Sequence, residues 1–392
     1  MLDPIVELQQ RVAGYDEARY PVQHATARYH LGVVLTDAGR VDEALESLAR
    51  AAELFAPELL PVEHAKALIA LGAARRLAGQ VEPAAAAFAR AAELFEAAGL
   101  EQELGAAFFN LGLVRRERQP AAAADCFRRA AALFAGAAEA AALRELGTTL
   151  FELGELDEAT STLERARGLA ERGDPAGYGG AANALGLVHL AADRTEEAIE
   201  AFRQAAGAHP RSVRPAEFAM AKANLALAHE RAGDLPRARL AATQALGVGE
   251  PPPPVAAQAE GVLVRAGEAS GDLRQVLALE PEDRWEGLVR EEVVRLSDAL
   301  EAERQAAAGT WIDDSSAELA QTWLGVLLEL PPEMMELHIR SVLATLEGCD
   351  REVAGRFRDD VSRASARFHV PQLLRLEETF RRLAEELDEP WS

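Results

Sequence analysis

Side chains able to do chemistry are sparse in this sequence, and their spacing limits what each could do. Cys126 and Cys349 are the two cysteines, far apart and outside any C-x-x-C pair. Neither a thiolate metal site nor a disulfide framework follows, and both are expected as reduced thiols of a cytoplasmic protein. His189 and His229 lie at equivalent places in neighbouring segments. Two imidazoles could begin a zinc site, but no third ligand accompanies them, and packing in place of an aromatic ring is the simpler role. Asp313-Asp314 and Asp359-Asp360 offer paired carboxylates, yet neither extends to D-D-x-x-D, and the first pair stands where a helix cap would. The stretch from Glu171 to Gly180 is rich in glycine but lacks the G-K-[ST] ending of a phosphate loop. No H-E-x-x-H or G-x-S-x-G occurs, and Met334-Met335 beside Leu337 and Ile339 reads as core. No catalytic residue, metal ligand or cofactor is therefore assigned.

Composition says what elements hold these residues. Of 392 residues, 83 are Ala, aromatics are 5%, and Lys occurs only at 66 and 222. A chain rich in Ala, Leu, Glu and Arg is expected to be all-α, because strands favour β-branched and aromatic residues. The net charge of −23 repels phosphate backbones, which argues against direct nucleic-acid binding. The N-terminus shows no basic and apolar leader, and no stretch approaches the ~18 uncharged apolar residues of a membrane span.

Self-similarity is the dominant signal. Leu31-Gly32, Leu71-Gly72, Leu111-Gly112, Leu146-Gly147, Leu185-Gly186 and Leu225-Ala226 recur at intervals of 40, 40, 35, 39 and 40. Behind each pair comes a small residue, then a large one four positions on, then a small one three further. The set reads Ala44, Leu48, Ala51; Ala84, Phe88, Ala91; Ala123, Phe127, Ala130; Ala159, Leu163, Ala166; Ala198, Phe202, Ala205; and, weakened, Ala238, Ala242, Ala245. Spacings of 4 and 3 put all three on one helix face. Between the two helices stands Gly39, Gly79, Gly154 or Gly233, with Asp193 in the fifth copy and Gln119-Pro120 in the third. Glycine there suits the left-handed conformation that ends a helix. The third copy is one residue short, so its helices are expected to meet at a different angle.

This pattern resembles the tetratricopeptide repeat, L-G-x-x-x…G-x-x-x-x-A-x-x-x-F-x-x-A, over about residues 18–247, with a degraded seventh copy around Leu263 and Gly271. The resemblance implies a right-handed α-solenoid of stacked helix-turn-helix units, here with a longer period than the usual ~34 residues. It also implies a concave ligand face, lined five and two residues before each Leu and two and five after it. Those positions bring Tyr29, Lys66, Arg76, Phe109, Arg116, Arg144 and Phe151 onto one cationic, aromatic face, with Asn183 in the fifth copy. Asn110 and Asn224 immediately precede their leucines, as asparagines of the family's carboxylate clamp can. Val33 and Tyr29 stand where that clamp wants Asn and Lys, so chaperone-tail binding is not expected. Two readings of the face stand side by side. It is a groove for an acidic peptide, or it is a solvated helix face in a chain whose cations are nearly all Arg.

The organisation expected is an N-terminal helical cap over 1–17, a solenoid over 18–280, and a helical capping or dimerisation domain over 281–392. Pro251–Pro254 and the glycine-rich stretch are expected as linkers. All four Trp fall beyond residue 281, and helices are expected at 285–307, 315–330, 333–347, 350–368 and 371–387. The leading function is a protein-interaction scaffold binding a protein or peptide, including acidic ones. The alternatives are a regulatory or sensor subunit of a transcription or signalling system, and an enzyme with a pocket between solenoid and C-terminal helices. A homodimer through the C-terminal helices is the further expectation.

Overall fold

The computed structural model describes residues 4–171, 173–267, 273–278, 280–387 and 391. The expectations placed on Met1–Asp3, Arg172 and the turn residue Gly271 lie outside the described residues. Every long described element is a helix, and the close contacts divide the chain into two units, 1–208 and 209–392.

The first unit opens with α1 (Pro4–Gly14) and continues as five helix pairs. These are α2 (Pro21–Asp37) with α3 (Val41–Leu54), α4 (Pro61–Leu77) with α5 (Val81–Ala98), and α6 (Glu101–Arg115) with α7 (Pro120–Leu133). Then come α8 (Ala137–Glu152) with α9 (Leu156–Ala170) and α10 (Pro175–Ala191) with α11 (Thr195–Ala208). α3, α5, α7 and α9 each pack on their own first helix and on the first helix of the following pair, and α11 packs on α10. The repeated Leu-Gly pairs explain the close approach. A Cβ at Gly32 would meet Leu48 at 2.4 Å, at Gly72 or Gly112 it would meet Phe88 or Phe127 at 2.7 Å, and at Gly186 Phe202 at 2.4 Å. The third pair therefore interlocks as its neighbours do, and the missing residue is absorbed in the turn, where Gln119 takes φ −140° and ψ 62° instead of a left-handed conformation. Gly39, Gly79, Gly154 and Asp193 all take φ between 57° and 80°. Ile5 of α1 is buried with Leu31 and Leu35 of α2.

Proline starts several first helices: Pro21, Pro61 and Pro175 in this unit, Pro215 in the next. It fits the first turn, where its missing N–H is not needed. That accounts for one departure from the sequence expectation. The glycine-rich stretch is helical from Pro175 onward, with the Asp174 carboxylate accepting the Gly177 N–H at 2.9 Å.

In the second unit α12 (Pro215–Arg231) and α13 (Leu235–Leu246) form the sixth pair, with Gly233 at φ 77°, and α14 (Pro253–Ala266) packs on both. Here too the proline run is not wholly extended, since Pro253 and Pro254 are the first residues of α14. The remaining helices are α15 (Leu273–Leu277), α16 (Trp285–Ser297), α17 (Glu301–Asp313), α18 (Ala317–Glu329), α19 (Pro332–Leu346), α20 (Arg351–Ser365) and α21 (Val370–Leu387). The single helix expected over 285–307 is two. At ~100° per residue the centre of Val289, Val293 and Leu296 lies about a quarter turn from that of Ala308, Trp311 and Ile312, so one straight helix would need an unusually wide apolar face to bury both sets. The break falls at Leu300, extended at ψ 153°. One core joins Leu240, Leu273, Val276 and Leu277 to Val289, Ile312, Leu324, Ile339, Phe357 and Phe380. Trp311, Trp323, Phe380 and Trp391 form a chain of ring contacts within it, ending in a stacked pair 4.4 Å apart.

Candidate functional site

The repeat geometry produces a face that is neither core nor open surface. On each first helix the Leu-small pair faces the second helix, and the residues five and two before and two and five after that Leu turn the other way. In the first unit Tyr29, Val33, Ile69, Phe109, Leu113, Arg116, Arg144, Thr148 and Phe151 are all half-buried there, while Lys66 and Arg76 are exposed. α2, α4 and α6 lie side by side, as do α8 and α10, and the Arg116–Glu145 pair joins α6 to α8, so these residues form a row across the five first helices.

The aromatic members are anchored from below. Tyr29 meets His30 edge-on at 5.3 Å, and Phe109 meets Phe127 edge-on at 5.8 Å. Phe151 packs with Phe109 and Leu113 against the core of the third and fourth pairs. Asn110 donates its amide N–H to the Ala106 carbonyl at 2.8 Å, a local bond along its own helix. Asn183 is buried in α10. Asn224 stands in the second unit, buried, with its carbonyl oxygen accepting from Gln258 at 3.0 Å.

The four cations differ among themselves. Arg116 and Arg144 both reach Glu145, at 2.7 and 3.0 Å, and Glu152 lies 3.9 Å from Arg116. Lys66 and Arg76 make no ion pair among the described residues. The backbones of α8 and α10 come close, whereas α6 and α8 stay farther apart, and the Arg116–Glu145 pair spans that wider gap. Across the closer one, a Cβ at Gly180 would stand 3.2 Å from Arg144 Nη1, so the guanidinium lies against the bare backbone of α10. Sequence reasoning missed Glu145 and Glu152. The signal for the first was available, since Glu145 precedes Leu146 just as Asn110 precedes Leu111.

In the second unit the equivalent positions of α12 are mixed, with Met220 exposed, Leu227 and Glu230 half-buried and Ala223 buried. Lys222 is buried and paired with Glu291 of α16, with its ammonium 5.5 Å from the Phe218 ring centre. Glu230 takes two hydrogen bonds from Arg265 of α14, at 2.6 and 2.8 Å.

The other chemical candidates have structural surroundings. Burial and the nearby Arg194 hold the His189 imidazole below its ordinary pKa, which keeps it neutral. Asp360 is buried and accepts the Ser315 hydroxyl at 2.7 Å. The carbonyl of Asp313 accepts from Arg356, and Ser316, not the Asp313-Asp314 pair, caps α18. Neither cysteine forms a disulfide among the described residues, and burial pushes the Cys126 thiol up. A cleft of about 300 Å³ between α5, α6 and α7 is lined by the buried Cys126 with Glu93, Glu96 and Asp125, but these carboxylates pair with Arg90, Arg129 and Arg128. Among the described residues no group of three His, Cys, Asp or Glu is arranged to hold a metal ion, and no helix is long and apolar enough to cross a membrane.

Comparison with known proteins agrees with the repeat geometry. Residues 23–97 match one family model described as tetratricopeptide repeat, and residues 111–177 and 183–254 match a second model of the same description. No curated protein matches the chain. Among solved structures, BtubC from P. vanneervenii is 19% identical with a TM-score of 0.46, covering 52% of this chain and 89% of its own. A tetratricopeptide repeat protein from Parabacteroides merdae is 13% identical with a TM-score of 0.45, covering 66% and 90%. YrrB, a repeat protein described as having an unusual peptide-binding site, is 21% identical with a TM-score of 0.38, covering 53% and 93%.

Proposed function

The chain belongs to the tetratricopeptide repeat family, and on that premise we propose that its first unit is a non-catalytic scaffold that binds an acidic protein segment. The segment lies along the row formed by α2, α4, α6, α8 and α10. One observation carries this reading: Lys66 and Arg76 are exposed and without ion pairs among the described residues, on the same face as half-buried Tyr29, Phe109 and Phe151. Half-buried rings supply contact area, and unpaired cations supply attraction for carboxylates. Counting Arg116 and Arg144 against Glu145 and Glu152, the row keeps a positive excess within a strongly negative chain.

Residues 281–392 act, in this reading, as a helical cap within the second unit. Support comes from the Lys222–Glu291 pair and from the Trp285 indole N–H donated to the Leu277 carbonyl at 3.0 Å. Two cysteines without a disulfide between them suit a reducing cytoplasm.

The test is a fluorescence-polarisation titration of the full chain with labelled peptides that share apolar residues and differ in acidic ones. Acidic members should bind, and the Lys66→Glu/Arg76→Glu variant should weaken them about tenfold at low salt. Equal affinity for the neutral peptides, or an unaffected variant, would sink the acidic-groove reading.

A further inference from the structure

We propose that the gap between α6 and α8 is a subsite for one Asp or Glu side chain of the bound segment, with Arg116 and Arg144 as its donors and Glu145 as a resident carboxylate that holds its affinity down. This rests on the groove reading above and adds where the acidic residue sits and what limits its binding.

The charge arrangement is the first support. Glu145 is only 15% exposed, whereas Arg116 and Arg144 are each about a third exposed, at 34% and 35%. The carboxylate therefore lies beneath two guanidiniums that remain open above it. Each guanidinium has five N–H donors, and each gives one to Glu145. Most of their donor capacity is unspent, although Glu145 and the more exposed Glu152, 3.9 Å from Arg116, together balance the two cations. An incoming carboxylate competes with Glu152 for Arg116 and can take two parallel N–H bonds from either guanidinium.

The second support is steric. The backbones of α6 and α8 approach less closely than those of α8 and α10, and it is the Arg116 and Glu145 side chains that span the distance between them. Phe109 and Phe151 lie about two helical turns from Arg116 and Arg144 on the same helices, so the subsite is flanked by rings. Gly180 leaves the space over α10 that Arg144 occupies, since a Cβ there would press on its guanidinium. The row also continues on both sides, toward Lys66 and Arg76 in one direction and Leu187 in the other. A chain lying along it passes through this point, which favours an internal side chain over a terminal carboxylate.

Glu145 then has a definite effect. It aligns the two guanidiniums and competes for their donors, and its charge repels the ligand's carboxylate at close range. Glutamine in its place keeps an acceptor oxygen and removes the charge. A simple structural staple behaves differently, because losing either end of a staple has the same sign of effect.

The experiment screens an array of C-terminally amidated peptides with the full-length chain, each sequence present with a central Glu and with Gln there. The best pair is then titrated against wild type, Glu145→Gln and Arg144→Gln, with melting curves to check folding, and a free-acid version of the Gln peptide tests a terminal carboxylate. Wild type should prefer Glu. Glu145→Gln should bind the Glu peptide about five- to tenfold tighter, Arg144→Gln about as much weaker, and neither should change the Gln peptide. A Glu preference untouched by both variants, or weakened by both, overturns the subsite and leaves the groove standing. So does tighter binding of the free-acid Gln peptide. No binding by wild type or Glu145→Gln overturns subsite and groove together, whereas binding by Glu145→Gln alone supports the resident-carboxylate role.

Discussion

At the scale of single residues, the fold rests on matched volumes. Gly72 lies under Phe88 with no space for a methyl group, because a Cβ would stand 2.7 Å from the ring. In the sixth copy both partners change, to Ala226 and Ala242, and both are fully buried. The small residue grows where the large one shrinks. Gly72→Ala should therefore cost about 1–3 kcal/mol from overpacking, read as a lower midpoint in urea with an unchanged slope, and a cost near zero would mean the ring swings aside freely. A second residue-scale effect concerns protons. His338 is buried against Ser297, 2.9 Å away, and burial pushes its pKa down to about 4, with Arg304 adding to the shift. In the unfolded chain it titrates near ~6.5. Between those values the unfolded chain holds a proton that the folded one does not, so stability is full above pH 6.5 and is lost as pH falls toward 4. The loss attributable to this residue is about 3 kcal/mol. His338→Gln should flatten that part of the pH–stability curve relative to wild type, and parallel curves would assign the slope to the carboxylates instead.

At the scale of elements, the turns inside the pairs obey one backbone rule with two exceptions. Gly79 has φ 71°, where an L-residue costs ~1–2 kcal/mol, so Gly79→Ala should destabilise by about that much. Asp193 takes φ 57° without being glycine, and Asp193→Gly should gain ~0.5–1 kcal/mol. Gln119 has a negative φ of −140°, so Gln119→Gly should gain nothing, and thermal melts of the three variants give the order directly. These turns, the paired helices and the Leu-Gly contact were legible in the sequence because six copies repeat the same steric demand. The boundary at Leu300 was not, because the apolar residues on either side change direction without a proline or glycine to mark it. The start of α10 was hidden by glycines whose helical state depends on Pro175 and the Asp174 cap. For the candidate site, repetition located the row of side chains but could not pair them. Arg116 meets Glu145 across a gap set by how α6 and α8 sit in space, and their separation of 29 residues is not itself a helical spacing.

At the scale of the whole molecule, two divisions of the chain compete, and they predict different fragments. Alanine thins out beyond residue 281, and residues 281–392 hold −12 of the −23 net charge. The close contacts instead divide at 208 and 209. Leu240, Leu273, Val276 and Leu277 of the second unit are each at most 5% exposed and belong to the same core as the C-terminal helices. Burying a side chain of this size is worth ~1.5–3 kcal/mol, so the four together supply on the order of 6–12 kcal/mol. That is comparable to the whole stability of an ordinary domain, about 5–15 kcal/mol. The Lys222–Glu291 pair would also be cut by a break after 280, leaving Glu291 without its buried partner. Fragments 1–208 and 209–392 should each melt cooperatively by circular dichroism, while 281–392 should be helical but melt broadly, as expected when secondary structure outlasts fixed packing. Its acidic excess adds self-repulsion, so salt should recover part of the helix signal without sharpening the transition. A sharp melt of 281–392 at the temperature of 209–392 would mean that its core closes without those four side chains, and the boundary marked by composition would then be the physical one.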